Sequence, residues 1–95
     1  MWQLRGFEPD VSFRLSPGDV RTLGRATGAQ FIVDHPLVSR VHCRVTASAD
    51  GSLVVEDLGS TNGTLVNGTP ITDERALRDG DIVSIASHSI KFEVA

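Results

Sequence analysis

The chain of 95 residues carries a single cysteine. One thiol can neither close an internal disulfide nor anchor a multi-cysteine zinc site. It suits a reducing compartment, so the expected location is the cytoplasm, with the nucleus as the alternative. Long apolar runs are also missing. The longest are Phe31-Ile32-Val33 and Leu53-Val54-Val55, too short for a membrane-crossing helix. The opening Met1-Trp2-Gln3-Leu4-Arg5 has no apolar stretch of the kind a secretion signal needs, and it reads as folded protein. There is no basic surplus either, the formal net charge being −3. Neutralising a long run of phosphates is therefore excluded as a main activity, and neither nucleic acid nor membrane is an expected partner. A single phosphate group is a different matter, because a few arginines in one pocket are enough for it.

What is present is ordinary globular composition, 40% hydrophobic and 22% charged, which excludes a disordered tail. With no internal repeat, low-complexity tract or linker, residues 1–95 read as one domain. Apolar residues recur with period two. Val11, Phe13 and Leu15 alternate with Ser12, Arg14 and Ser16. Val41, Cys43, Val45 and Ala47 alternate with His42, Arg44, Thr46 and Ser48. Ile90, Phe92 and Val94 alternate with Ser89, Lys91 and Glu93. This is the pattern of strands with one buried face. By it Val41 faces the core and His42 the opposite side. Further strands are expected at residues 2–5, 20–23, 31–33, 53–58, 64–66 and 81–86. Turn signals separate them at Pro17-Gly18, Asp50-Gly51, Asn62-Gly63, Asn67-Gly68 and Asp79-Gly80. Only residues 73–77 could hold a helical turn. The fold class is all-β, an antiparallel sandwich whose functional residues sit in loops at its ends.

Three polar loop segments share a chemical theme. Gly24 permits a sharp bend or a close approach of a ligand, and Arg25 offers a planar fork of donors suited to phosphate or carboxylate. Ser39 can donate its hydroxyl to an anion, with the charge of Arg40 beside it. His42 reads as a hydrogen-bonded histidine that braces this loop. A Ser39/His42 nucleophile pair, as in a small hydrolase, is the competing reading, but no nucleophile elbow surrounds it. Gly59-Ser60-Thr61-Asn62-Gly63-Thr64 could form an anion nest, bind the main chain of a peptide, or simply be a hairpin with an Asn-Gly turn.

Elsewhere, bland readings prevail. Asn62-Gly63-Thr64 and Asn67-Gly68-Thr69 match the glycosylation acceptor pattern but are explained as turns. Asp34-His35-Pro36 reads as a turn, not a metal site. Cys43 reads as a buried, inert thiol, Trp2 as edge packing, and His88 as part of a hairpin turn.

The motifs taken together, in order and at these intervals, closely resemble the forkhead-associated (FHA) domain. They are Gly24-Arg25, Ser39-x-x-His42, Asp57-Leu58-Gly59-Ser60-Thr61-Asn62-Gly63-Thr64, Val66-Asn67-Gly68 and Leu77-x-x-Gly80-Asp81-x-Val83. The resemblance implies an eleven-stranded sandwich that binds phosphothreonine peptides at one end, downstream of a Ser/Thr kinase. By the same resemblance Arg25, Ser39 and Arg40 would hold the phosphate. Asn62 would bond the peptide main chain, Thr61 would line the threonine pocket, and Gly24, His42 and Gly63 would be loop scaffold. No catalytic residue, metal or cofactor is implied. The alternative within the same fold is a phosphate-independent assembly domain. Two departures stand out: Leu65 where an aromatic is frequent, and Ala86 where glycine is frequent.

Overall fold

Period-two patterning becomes strand where one face can be buried. In the computed structural model, which describes residues 1–7 and 10–95, Leu53 and Val55 are sealed while Val54 and Glu56 of the same strand remain half-buried. The strands in chain order are β1 (Trp2–Gly6), β2 (Ser12–Leu15), β3 (Val20–Gly24), β4 (Phe31–Ile32), β5 (Cys43–Ala47) and β6 (Leu53–Asp57). They continue with β7 (Leu65–Val66), β8 (Thr69–Pro70), β9 (Glu74–Leu77), β10 (Ile82–Ile85) and β11 (Ile90–Val94).

The eleven strands form two sheets, ordered β2-β1-β11-β10-β7-β8 and β4-β3-β5-β6-β9. Pairing is antiparallel except between β3 and β4, where two residues of each run parallel, Leu23 opposite Phe31 and Gly24 opposite Ile32. Inward side chains of both sheets meet in one core that includes Leu4, Leu15, Leu23, Val45, Leu53, Val55, Val83, Ile85 and Phe92. Phe13 stacks on Phe31 with ring centroids 4.4 Å apart. That contact joins β2 of one sheet to β4 of the other and fixes the short strand that leads into the loop at residues 33–42. Trp2 packs against the core, and its indole N–H donates to Gly51 O at 3.1 Å. It thereby ties the first strand to the β5–β6 turn of the facing sheet.

The turn signals are realised by backbone geometry. Asn67 and Gly68 take φ of 51° and 82°, the pair of left-handed residues that a tight hairpin between β7 and β8 requires. Ala86 also adopts positive φ, 54°, which is the physical reason that glycine is favoured at this position.

Two expectations are corrected. Residues 73–77 hold no helical turn; Glu74–Leu77 is strand β9, paired with β6 from Leu53↔Leu77 to Glu56↔Glu74. The β5 alternation does not reach back to Val41 and His42. Val41 is 42% exposed and His42 0%, the reverse of the face assignment, because regular pairing with β3 stops at Leu23↔Cys43 and the chain before it bends.

β3 and β6 end, and β5 begins, at the same end of the sandwich. The loops at residues 25–30, 33–42 and 58–64 are therefore neighbours there.

Candidate functional site

Gly24 is where the site begins. A Cβ at this position would collide with the carbonyl oxygen of Arg40, so only glycine lets the two segments touch. Their contact is sewn by main-chain bonds: Arg25 N–H to Ser39 O at 3.0 Å, Ala26 N–H to Arg40 O at 3.3 Å and His42 N–H to Leu23 O at 2.8 Å. From this seam the Arg25 side chain extends across the loop, and its Nε–H donates to Val38 O at 3.0 Å. That bond occupies one of the five guanidinium donors and leaves the four on the terminal nitrogens. The ion pairs formed among the described residues, Arg21–Asp19 and Arg44–Glu56, involve neither Arg25 nor Arg40.

The third segment docks on the second. Thr61 N–H donates to Ser39 Oγ at 3.0 Å. A hydroxyl has one donor and two acceptor sites. With an acceptor site taken by Thr61, the hydroxyl hydrogen of Ser39 remains to be given outward. Asn62 Nδ2 donates to Leu37 O at 2.8 Å, which fixes the amide plane and leaves its second N–H and its Oδ1 for a partner. Arg25, Ser39, Thr61 and Asn62 are thus brought into one hydrogen-bonded cluster. Arg40 contributes its carbonyl to the seam, and its own side chain is exposed.

His42 holds these segments together from beneath. Its Nδ1 accepts Ser39 N–H at 3.1 Å, and its Nε2 lies 2.8 Å from Gly63 O. Since Nδ1 accepts, Nε2 carries the hydrogen that Gly63 O receives. Both ring nitrogens are committed to main chain, and neither meets the Ser39 hydroxyl. The His42 carbonyl also accepts from Leu58 N–H at 3.1 Å. The ring lies in the core and not on the outer face that period-two alternation assigns it.

Asp57 is the organiser that residue reading passed over. One carboxylate oxygen accepts Ser60 Oγ–H at 2.6 Å and Thr64 Oγ1–H at 2.8 Å. The other accepts Gly59 N–H and Ser60 N–H, each at 3.1 Å. Gly63 N–H then donates back to Ser60 Oγ at 3.0 Å. Partial burial pushes the Asp57 carboxyl upward, but the Ser60 and Thr64 hydroxyls and the two main-chain N–H groups outweigh it and hold the carboxyl below its ordinary value. The signal was available: aspartate two residues before Gly-Ser is the spacing of a side chain that caps its own turn. Leu37 O and Val38 O, by contrast, are main-chain acceptors with no signature in the sequence.

Cys43 lies beneath Asp57 and Thr64, fully buried. Burial first, and then the Asp57 charge, push its thiol up to about 12 against a weaker lowering by the Thr64 hydrogen bond. It is unreactive there. His35 Nδ1 accepts Leu37 N–H at 3.1 Å, closing the turn before the binding loop.

A sequence model of the FHA domain matches residues 21–86. The ABC transporter ATP-binding/permease protein Rv1747 of Mycobacterium tuberculosis is 37% identical over 78 residues, covering 82% of this chain and 9% of that protein. The crystal structure of the FhaA FHA domain complexed with the intracellular domain of Rv3910 superposes with a TM-score of 0.88 at 29% identity, covering 100% of both chains. A structure from a study of phosphothreonine-dependent FHA domain interactions gives a TM-score of 0.87 at 30% identity, over 98% of this chain and 93% of the other. The chain spans less than half the length of the curated relatives it matches.

Proposed function

Because this chain belongs to the FHA domain family, we propose that it is a phosphothreonine-peptide-binding module that reads Ser/Thr kinase output and recruits a phosphorylated partner. The observation that carries this reading is the bond from Thr61 N–H to Ser39 Oγ, 22 residues apart in sequence. It leaves the hydroxyl hydrogen of Ser39 unspent, on the loop whose Val38 O the Arg25 side chain grips with four donors to spare.

A phosphothreonine brings a charge of about −1.5 to −2 and three acceptor oxygens. The terminal nitrogens of Arg25 and the hydroxyl of Ser39 supply donors to match, and exposed Arg40 adds charge at the rim. Because Val38 O already holds the Arg25 Nε, little side-chain freedom is lost on binding. Asn62, pinned through one N–H, presents a donor and an acceptor side by side, the complement of a peptide main chain. Thr61 walls the pocket where the threonine methyl would lie. Burial of that methyl is worth about 0.8 kcal/mol, roughly fourfold over phosphoserine. The module acts by binding alone. With both His42 nitrogens bonded to main chain, Ser39 has no base to activate it as a nucleophile.

A titration of phosphothreonine peptides, chosen by an oriented library screen, tests the reading. Arg25→Ala is expected to weaken binding by roughly tenfold to a hundredfold, since a hydrogen bond to a charged group contributes about 1.5–3 kcal/mol. Equal binding of phosphorylated and unphosphorylated peptide, or an Arg25→Ala variant that keeps its partner, would favour a phosphate-independent assembly domain instead.

A further inference from the structure

Val45, Leu53, Val55 and Leu77 turn one face of the β4-β3-β5-β6-β9 sheet to the core. Alternation puts their neighbours on the opposite, outer face. Strand register lays these neighbours out in two rows. From β3 to β9 one row reads Val20, Thr46, Val54, Ala76, and the other Thr22, Arg44, Glu56, Glu74. In the first, Val20 is 43% exposed, Ala76 is exposed, and Thr46 and Val54 are half-buried. In the second, Arg44 and Glu56 form an ion pair and Glu74 is exposed.

These rows are complementary to themselves. A two-fold axis running along the strands, between β5 and β6, lays β5 over β6 of a second copy and β3 over its β9. Arg44 then faces Glu56 of the second copy, and Glu56 faces its Arg44, so four charges alternate in sign. Thr46 meets Val54, Val20 meets the small Ala76, and Thr22 offers its hydroxyl to the Glu74 carboxylate. An axis across the strands sets like charge on like charge, or charge on an apolar side chain, and both arrangements are unfavourable. We propose that this face joins two copies of the chain in a two-fold dimer.

Sheets packed face to face keep their strands within about 30° of each other, so the two rows stay in register near the axis. Four strands about 4.8 Å apart, each giving about four residues at 3.4 Å, make a patch of roughly 250 Å² per copy. A stable complex buries about 800 Å² per partner. The dimer is therefore weak, with a dissociation constant on the order of 0.1–1 mM. An axis along the strands does not reverse them. The loops at residues 25–30, 33–42 and 58–64 of both copies thus open toward the same side. A partner carrying two phosphothreonines would meet two cradles together and gain effective concentration at the second. The dimer stands apart from the phosphothreonine reading, and this use of it rests on that reading.

Sedimentation velocity over a series from about 20 μM to about 2 mM tests the dimer without any ligand. The average mass of the wild type is expected to rise from the monomer value toward twice that value. Arg44→Glu leaves only carboxylates at the four central positions, and Glu56→Arg only guanidinium groups, so each variant alone is expected to stay monomeric. Mixed in equal amounts they restore the alternation of sign and are expected to associate at least as strongly as the wild type. Val20→Asp, at the exposed start of β3, is expected to stay monomeric too, with thermal melts confirming that every variant is folded. A wild type that remains monomeric throughout overturns the dimer. So does association that survives Arg44→Glu and Val20→Asp, or a mixture of the two charge variants that fails to associate. A peptide with two phosphothreonines on a flexible linker is expected to outbind the singly phosphorylated one by about tenfold or more in the wild type, and by about twofold in Val20→Asp. Equal gains in both overturn the paired use of the cradles. A singly phosphorylated peptide that fails to bind overturns the phosphothreonine reading itself, and the mass measurement decides the dimer regardless.

Discussion

Gly24 and Arg25 divide the work of one corner of the site, and the division is steric. The collision of any Cβ with Arg40 O means that Gly24→Ala must push two main-chain segments apart. Overpacking of this kind destabilises by about 1–3 kcal/mol. The larger consequence is expected in binding, because the bonds from Arg25 N–H to Ser39 O and from Arg25 Nε–H to Val38 O are set by that seam. Chemical denaturation and peptide titration of Gly24→Ala should both fall. A variant with wild-type affinity would show that the seam does not position Arg25. As a residue this glycine offers a sharp bend or the close approach of a ligand, and the family resemblance implies loop scaffold; that its neighbour is the protein's own backbone is visible only in three dimensions. Ala86 makes the complementary point. It stands where glycine is frequent, and its φ of 54° is the reason glycine is favoured there.

Among the elements, β9 and the chain around residues 39–42 show how tertiary partners override local signals. Asp73-Glu74-Arg75-Ala76-Leu77 is rich in good helix formers, yet one short turn of helix cannot offset its own nucleation. Four residues of ladder with β6 satisfy the same backbone groups and bury Leu77. At His42 the alternation breaks because the segment must bend to meet Gly24, so the period-two reading assigned two faces the wrong way round.

The β7–β8 hairpin belongs to this scale as well. Asn67 holds left-handed φ, donates to Asp81 Oδ1 at 3.0 Å and accepts Ile82 N–H at 2.9 Å. It thus locks the hairpin onto β10. Asn67→Ala is expected to cost about 1–3 kcal/mol of stability through those lost bonds and the strained φ. The hairpin turn points away from the loops at residues 25–30, 33–42 and 58–64, so phosphopeptide affinity should stay within about twofold. Denaturation and titration of the same preparation separate the two effects. A large fall in affinity would mean that the turn is coupled to the site.

For the molecule as a whole, the acid limb of stability follows from three carboxylates. Asp50 is lowered by the Ser52 main-chain N–H and then by its hydroxyl. Asp57 is lowered by the donors of its loop, against the opposing effect of burial. Asp81 is lowered first by Asn67, then by Arg78 N–H, with the charges of Arg75 and Arg78 adding to them. Each folded value lies below the ordinary 3.8. The stability they contribute is therefore complete above that pH and is lost as pH falls through the folded values beneath it. Urea midpoints should be nearly level from about pH 7 to about pH 5 and drop below about pH 4, with the drop smaller in Asp57→Asn. Unchanged midpoints at about pH 3 would contradict this.

The amino-acid sequence by itself determined the strands, because burying one face of a pleated sheet demands period-two alternation. It determined the turns at Gly18, Gly51, Gly63, Gly68 and Gly80, all at positive φ, because glycine enters left-handed backbone at little cost. Its motif string was also sufficient to point to the family. Tertiary structure alone decided that Ser39 meets Thr61, that Asn62 meets Leu37 O, and that His42 turns inward to bridge Ser39 and Gly63. These contacts join residues far apart in the chain through main-chain carbonyls and N–H groups. Every residue but proline carries both, so no choice of side chain announces them until the sheets bring the loops together.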